Sequence, residues 1–290
     1  MSSPDAAAGT AFGPMVLAAI EHNEAPLRRL VDDDLAESML PGRLRTLVRL
    51  TRIDALRRAA LAASDRSGPG LWASIACRKR YIDERLSDPL NETDTVVVLG
   101  AGLDTRACRI ARHSDMPVFE VDQQVNIDRK AAVLQRALGG TPASVRLVPV
   151  DFERDALIPA LESHGYRPEL RTFFIAEGVT QYLTPEAVRA TFAQLSGAAP
   201  GSRLAFTYIR QDFIEGTNLY GAEAVYRRFR QRRQTWKSGL VPEEVGELLA
   251  DVGWRLVEQA GPSYFRDTYI RPTRRAIAAS PIEWTVLAER

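Results

Sequence analysis

Two glycines and a carboxylate in the middle of the chain have the types and spacing to hold a nucleoside. Val96 to Ile110 reads VVVLGAGLDTRACRI: an apolar run, a Gly100-Ala101-Gly102 turn, then a helical pattern. Glycine lets the backbone turn sharply and puts no side chain in a ligand's space. Roughly twenty residues further on, Asp122 closes the run Phe119-Glu120-Val121-Asp122, where a carboxylate can accept both ribose hydroxyl protons. Taken alone, the turn also reads as a tight strand-to-helix connection without a ligand. A dinucleotide fits less well than a phosphate-free nucleoside. G-x-G-x-x-G wants a third small residue where Thr105 stands. Asp104, itself readable as a plain helix cap, brings negative charge to the helix start and favours an amino or sulfonium group over a phosphate.

These residues need a scaffold, and the hydrophobic pattern outlines one. Before Thr95 the pattern is helical, over Phe12 to Ile20, Leu27 to Leu40, Leu44 to Ala63 and Leu71 to Leu86; in the last, Leu71, Ile75, Ile82 and Leu86 form one stripe. From Thr95 the period changes. Val96–Leu99, Val118–Val121, Val145–Val150 and Thr172–Ala176 are short apolar runs, each followed by room for a helix, which is the pattern of parallel βαβ units buried on both faces. Arg203–Ile209, Trp254–Gln259 and Glu283–Ala288 add three strands, with a helix at Pro242 to Ala250. The expectation is an α/β doubly wound, seven-stranded sheet that ends antiparallel. A helical addition over residues 1–90 precedes a binding domain over 91–290, and the first ten residues read as a loose arm.

The composition narrows the partners. A chain of 290 residues, 45% of them hydrophobic, buries a full core. With 38 Lys plus Arg against 37 Asp plus Glu, the net charge of +1 gives no electrostatic case for nucleic acid. Cys77 and Cys108 show no Cys-x-x-Cys spacing and make a poor disulfide scaffold, no cluster has metal-ligand spacing, and no segment reads as a signal or membrane span. The expectation is a cytoplasmic protein, monomer or homodimer, with a small-molecule partner, no metal and no membrane.

In order along the chain, LGAGLDTRA, FEVD, VPVDF and AEGVTQYL resemble the S-adenosylmethionine-dependent methyltransferases grouped as the leucine carboxyl methyltransferase and tetracenomycin-type polyketide O-methyltransferase family. The likeness runs from about Leu71 to the C-terminus and implies the class I methyltransferase sheet with helices in front. It implies that Gly100, Ala101 and Gly102 adjoin the methionine portion and ribose of the cofactor, that Asp122 holds the ribose hydroxyls, and that Asp151 and Phe152 frame the adenine. Glu177 would receive the amino group and Arg78 the carboxylate of the methionine part, a guanidinium being able to do so bidentately. Tyr182 would face the acceptor, and Arg80 belongs to an RxRxxD pattern of the polyketide branch. Each has a plainer reading: Asp151 and Glu177 as caps, Tyr182 as core, Arg78 and Arg80 as partners of Asp83 and Glu84, and Arg106 as a local partner of Asp104 or Asp122.

The acceptor side is less constrained. A carboxylate is already ionised at neutral pH, whereas a phenol near pKa 10 gains from a general base. Of His22, His113 and His164, only His22 has a place from which to reach substrate. That scarcity favours O-methylation of a small-molecule carboxylate to a methyl ester in secondary metabolism, with a phenol as the other acceptor. Thr180 and Gln181 stand where the family carries larger apolar residues. Residues 211–239, with RRFRQRRQ, read as a lid carrying Phe213, Leu219, Tyr220, Tyr226, Phe229 and Trp236 on its inner face. The competing readings are a nicotinamide-dependent oxidoreductase and a cofactor-binding protein without turnover.

Overall fold

The computed structural model describes residues 12–88, 92–232 and 234–290. The loose arm expected at the N-terminus lies outside the described residues. Helices α1 (Phe12–His22), α2 (Ala36–Met39), α3 (Gly42–Leu50), α4 (Asp54–Ser67) and α5 (Leu71–Leu86) precede the sheet. Strands and helices then alternate: β1 (Thr95–Leu99), α6 (Arg106–Ile110), β2 (Val118–Asp122), α7 (Gln124–Leu138), β3 (Val145–Pro149), α8 (Leu157–Ser163), β4 (Thr172–Ala176), α9 (Pro185–Leu195) and β5 (Arg203–Ile209). The remainder holds α10 (Gln211–Glu215), α11 (Glu223–Tyr226), α12 (Val245–Asp251), β6 (Arg255–Ala260), α13 (Pro262–Phe265) and β7 (Glu283–Glu289).

The seven strands lie in the order β3-β2-β1-β4-β5-β7-β6. Strands β1 to β5 are parallel, with Val98 opposite Glu120 and Ile175, while β7 runs antiparallel between β5 and β6. The alternation within β1 builds both cores. Val96 and Val98 join Phe173, Ile175, Cys77, Tyr81 and Ile82 on the α5 face, and Val97 and Leu99 join Phe119, Phe174, Phe192 and Phe206 on the other. Each such side chain, fully buried, contributes about 1.5–3 kcal/mol against remaining exposed. Residues of α1, α2 and α5 share the first cluster with those of β1 and β4, and α1 packs against α2, α3 and α5.

Two expected helices break. Leu27 to Leu40 becomes a turn at Pro26–Arg28, an extended stretch and the short α2. There Asp33 accepts from Leu35 N at 3.2 Å and from the Thr105 hydroxyl at 2.7 Å, satisfying backbone outside a helix. Leu44 to Ala63 splits into α3 and α4 at Thr51, whose hydroxyl donates to Val48 O at 2.6 Å while its carbonyl accepts from Arg57 Nη1 at 3.0 Å. Among the described residues, no helix is long and apolar enough to cross a membrane.

Candidate active site

Beyond β1 the chain turns through Gly100 (φ +60°) and Gly102 (φ +48°), left-handed conformations that favour glycine. A Cβ at Gly100 would lie 2.5 Å from Val179 Cγ2, so the turn and the segment after β4 are in direct apposition. Ala101 N donates to Val121 O at 3.0 Å, fixing the turn against β2. Asp122, buried at the end of β2, accepts from Gly102 N at 2.8 Å, Gln123 N at 2.7 Å and Asn126 Nδ2 at 2.8 Å. A carboxylate has about four acceptor positions, so capacity remains for a ligand hydroxyl. Arg106 pairs with Asp104 and not, in the contacts described, with Asp122.

Next to this turn lies a buried ion cluster. Arg78 Nε donates to Glu177 Oε1 at 2.9 Å and its Nη1 pairs with Glu283; Arg106 Nη1 reaches Glu177 Oε2 at 2.7 Å and also pairs with Asp104 and Asp83. Lys79 stands 3.5 Å from Glu177, and Arg109 donates to Asp83 at 2.9 Å. Four carboxylates thus face four cations. Burial alone would raise the Glu177 carboxyl, but Lys79, Arg106 and Arg78 hold it down at about 2. Burial would raise Asp104 too, but Arg106, Lys79 and Lys130 depress it, and the carboxylates raise Arg106. Under the turn, Glu120 and Lys130 form a second buried pair, and Lys130 Nζ also donates to Asp104 O at 2.9 Å. Desolvation leaves the Glu120 carboxyl raised to about 7 despite Lys130.

Sequence reasoning found Arg78 and Glu177 but not Lys79, Glu283 or Lys130; it gave Asp83 only as a same-helix partner of Arg78 and Arg80, and Arg106 only a local role. The one sequence signal for the second pair was a charge, Glu120, inside an otherwise apolar run. Nothing local marks Glu283, which reaches Arg78 across 205 positions.

The structure does not bring every candidate together. Arg80 follows Arg78 by two residues, about 200° round a helix. Its Nε pairs with Glu84 at 2.8 Å and its guanidinium lies over the Tyr269 ring, so the contacts described do not bring it to Glu177. His22, equally expected near substrate, bonds Asp32 through Nδ1 at 2.6 Å beside Arg29, because it ends α1 where the exposed Asp32 passes. Asp151 accepts from Glu153 N at 3.1 Å, the cap-like arrangement weighed above. Phe152 lines a small apolar void with Leu99, Ala176, Val179 and Phe192.

On the other side of the β4 turn, Tyr182 packs against the cluster formed by Ile209, Phe213, Val225 and Trp236, within the expected lid. The segment expected as a lid contains α10, α11 and a wide helical turn at Arg227–Arg232, and Gln234 beyond it is left-handed at φ +50°. Phe229 stacks on Trp236 at 4.6 Å, and Arg227, Arg228 and Arg232 are exposed. Lys237 N donates to Gln181 O at 2.6 Å and Ser238 Oγ to Thr180 O at 2.9 Å, joining this segment to the turn after β4. Among the described residues, no group of three or more His, Cys, Asp or Glu is placed to hold a metal ion.

A dinucleotide sheet orders its strands 3-2-1-4-5-6. Here an antiparallel strand is inserted next to the last, and the acid after β4 sits among cations where a zwitterion, rather than a pyrophosphate, finds its counter-charges. The fold is that of the class I S-adenosylmethionine-dependent methyltransferases. Two solved structures share it: a protein from Thermobifida fusca assigned as a methyltransferase (TM-score 0.55, 21% identity, 81% of this chain and 88% of that one) and a DUF574 family protein from Streptomyces avermitilis (TM-score 0.53, 17% identity, 81% and 90%). The leucine carboxyl methyltransferase model matches residues 11–196, and the chain belongs to that family. A relative from Mycobacterium marinum is 32% identical over 278 residues, 89% of this chain and 86% of its own length. Another from Mycobacterium avium is 33% identical over 235 residues, 73% of each chain. Both are assigned as S-adenosyl-L-methionine-dependent methyltransferases. The cofactor is therefore S-adenosylmethionine, and the nicotinamide reading falls.

Proposed function

We propose that this chain is an O-methyltransferase that esterifies a carboxylate of a small-molecule acceptor in secondary metabolism. The observation that carries the donor half is the buried Arg78–Glu177 pair beside the Gly100–Gly102 turn. A guanidinium and a carboxylate in contact are the complement of an α-amino acid zwitterion, so each can exchange its partner for one end of the ligand without leaving a buried charge uncompensated. Glu177 then holds the ammonium and Arg78 the carboxylate. Asp122 takes a ribose hydroxyl with its remaining acceptor capacity, and Asp151 and Phe152 flank the adenine.

Bound there, S-adenosylmethionine supplies an electrophilic methyl group. The chain positions the acceptor oxygen in line with it and excludes water. Tyr182 orients that oxygen through its hydroxyl, and the lid cluster on which it packs closes over the site. The preference for a carboxylate rests on the histidines. His22 is engaged by Asp32, His164 Nδ1 contacts Ala160 O at 2.9 Å, and His113 is exposed beyond α6. None is paired with Tyr182 or Glu177 in the contacts described, and an acceptor that is already an anion needs no such base.

Calorimetric titration with S-adenosylhomocysteine, with NAD as comparison ligand, tests the donor half: micromolar binding of the first alone is expected, and binding of NAD in its place would refute it. Methyl transfer from labelled S-adenosylmethionine to matched panels of carboxylic acids and phenols tests the acceptor half. Base-labile methyl esters are expected; ethers formed only from phenols would overturn the carboxylate assignment.

A further inference from the structure

We propose that Lys130 is a positioning residue for the donor, holding the turn that carries Gly100 and Gly102 from beneath, and that its buried partner Glu120 makes this hold depend on pH. The inference rests on the donor half of the proposed function. It starts from two charges that stand where the local pattern calls for apolar residues. Along β2, Val118 joins the first core and Phe119 and Val121 the second, so the alternation of the strand aims Glu120 into the first. The buried positions of α7 are Ile127, Lys130, Val133 and Leu134, one stripe in which the lysine takes an apolar place. Glu120 and Lys130 are 0% and 1% exposed, and they pair with each other.

Apolar residues of similar volume serve stability as well as a buried ion pair or better, so stability alone does not account for this one. Its further contact does: Lys130 Nζ donates to Asp104 O at 2.9 Å. The turn is fastened to β2 through Ala101 N and Gly102 N, Asp104 N closes it on Ala101 O at 2.7 Å, and Lys130 holds its last carbonyl. Asp104 is also where the turn meets the ion cluster, because its carboxylate pairs with Arg106, which contacts Glu177. A lysine that fixes Asp104 therefore steadies both parts of the donor site, the glycines on one side and Glu177 on the other. A proton can release that hold. Glu120 meets Lys130 through Oε1, and its Oε2 has no hydrogen-bond partner among the described residues. Around the carboxyl stand Lys130 from α7, Asp104 from the turn, Asp122 from its own strand and, from α6, Cys108, whose thiol burial keeps neutral; β1 and β3 present Val98 and Leu147. Burial raises the carboxyl, Lys130 opposes the rise, Asp104 and Asp122 add to it, and the balance stands at about 7. Above that pH the ammonium has its counter-ion. Below it the ammonium is an uncompensated buried charge, which the molecule relieves by drawing Lys130 off the turn towards water.

The test is calorimetric titration of the intact protein with S-adenosylhomocysteine from pH 6 to pH 8, a readout that needs no acceptor. A carboxyl at about 7 is about nine-tenths ionised at pH 8 and about one-tenth at pH 6, so affinity should fall about tenfold between them. Glu120→Gln and Lys130→Met should each bind, at both ends of the range, about as weakly as wild type does at pH 6. Should either fail to fold by circular dichroism, Glu120→Leu combined with Lys130→Met, apolar at both places, should fold and show the same weak, pH-independent binding. A wild-type affinity that is flat with pH overturns the proposal. So does a slope that survives in the variants, or a Lys130→Met affinity equal to that of wild type at pH 8. Wild type that binds no S-adenosylhomocysteine removes the donor reading and this one with it, whereas tight binding at every pH removes this one alone.

Discussion

Replacing Glu177 by Gln tests the ion cluster on which the donor site depends. The carboxylate contacts Arg78 at 2.9 Å, Arg106 at 2.7 Å and Lys79 at 3.5 Å, and its side chain is only 6% exposed. Arg78 keeps Glu283, Arg106 keeps Asp83 and Asp104, and Lys79 keeps the field of Asp104 but loses its contact with Glu177. Breaking a buried pair from one side costs about 3–5 kcal/mol. The depression of the carboxyl by these three cations, against its burial, points the same way. For a chain of this length, an entropy of unfolding of about 2.1 cal/mol/K per residue converts 3 kcal/mol into a fall in Tm of about 5 °C. The sign with pH follows from the depression. The contribution is complete above about pH 4.3, where both states are ionised, and is lost as pH falls towards 2, so the gap between wild type and Glu177→Gln should narrow in acid. Thermal melts from pH 7.5 down to pH 3.5 read both quantities, and titration with S-adenosylhomocysteine at pH 7.5 should show at least tenfold weaker binding. A Tm within 1 °C of wild type at neutral pH, or a gap that does not narrow in acid, would refute the electrostatic reasoning. Unchanged ligand affinity would separately remove Glu177 from the donor site.

Three other substitutions probe the remaining parts. Gly100→Ala forces a Cβ to 2.5 Å from Val179 Cγ2 in a left-handed backbone, so it should cost about 1–3 kcal/mol and lower S-adenosylhomocysteine affinity; a melt and a titration check both. Arg78→Lys keeps the charge but loses the fork that serves Glu177 and Glu283 together, so donor affinity should fall about tenfold with the fold retained, and wild-type affinity would speak against bidentate recognition. Tyr182→Phe should lower kcat for methyl transfer by about tenfold or more while donor affinity stays within twofold; equal turnover would return Tyr182 to a packing role.

The parts of the fold written in local pattern were legible. The pattern outlined all seven strands to within about a residue; for β1, β2 and β4, buried along their whole length in the parallel part of the sheet, a continuous apolar run is what burial on both faces requires. The glycine turn and Asp122 were legible because both need a specific residue type at a specific bend. The N-terminal helices were read too long because Thr51 and Asp33 stop them with side-chain hydrogen bonds, which compete with the helix and do not alter its apolar period. Arg80, two residues after Arg78, pairs with Glu84 instead of joining Glu177, a difference that a motif shared by neighbouring arginines does not display. The ion cluster was illegible for a different reason. It joins α5, α6, the end of β4 and the start of β7, and only the tertiary structure makes neighbours of Arg78 and Glu283.

The reversed direction of β7 has a consequence for how the molecule assembles. Because this strand runs against the others, its first residue, Glu283, arrives at the same edge as the last residues of β1 and β4. The preceding stretch is stitched to the front of the chain: Ser280 N donates to Ser74 Oγ at 2.8 Å, and Arg275 pairs with Glu21, contacts that span 206 and 254 positions. Closing loops of that size carries an entropic penalty before any contact repays it. The glycine turn and Asp122 can meet as soon as β1 and β2 do, and Arg78 can meet Glu177 once β4 is in place, whereas its second partner, Glu283, must wait for the far end of the chain to dock. A partly folded molecule therefore holds the Arg78 guanidinium by one carboxylate, and only the finished one holds it by two.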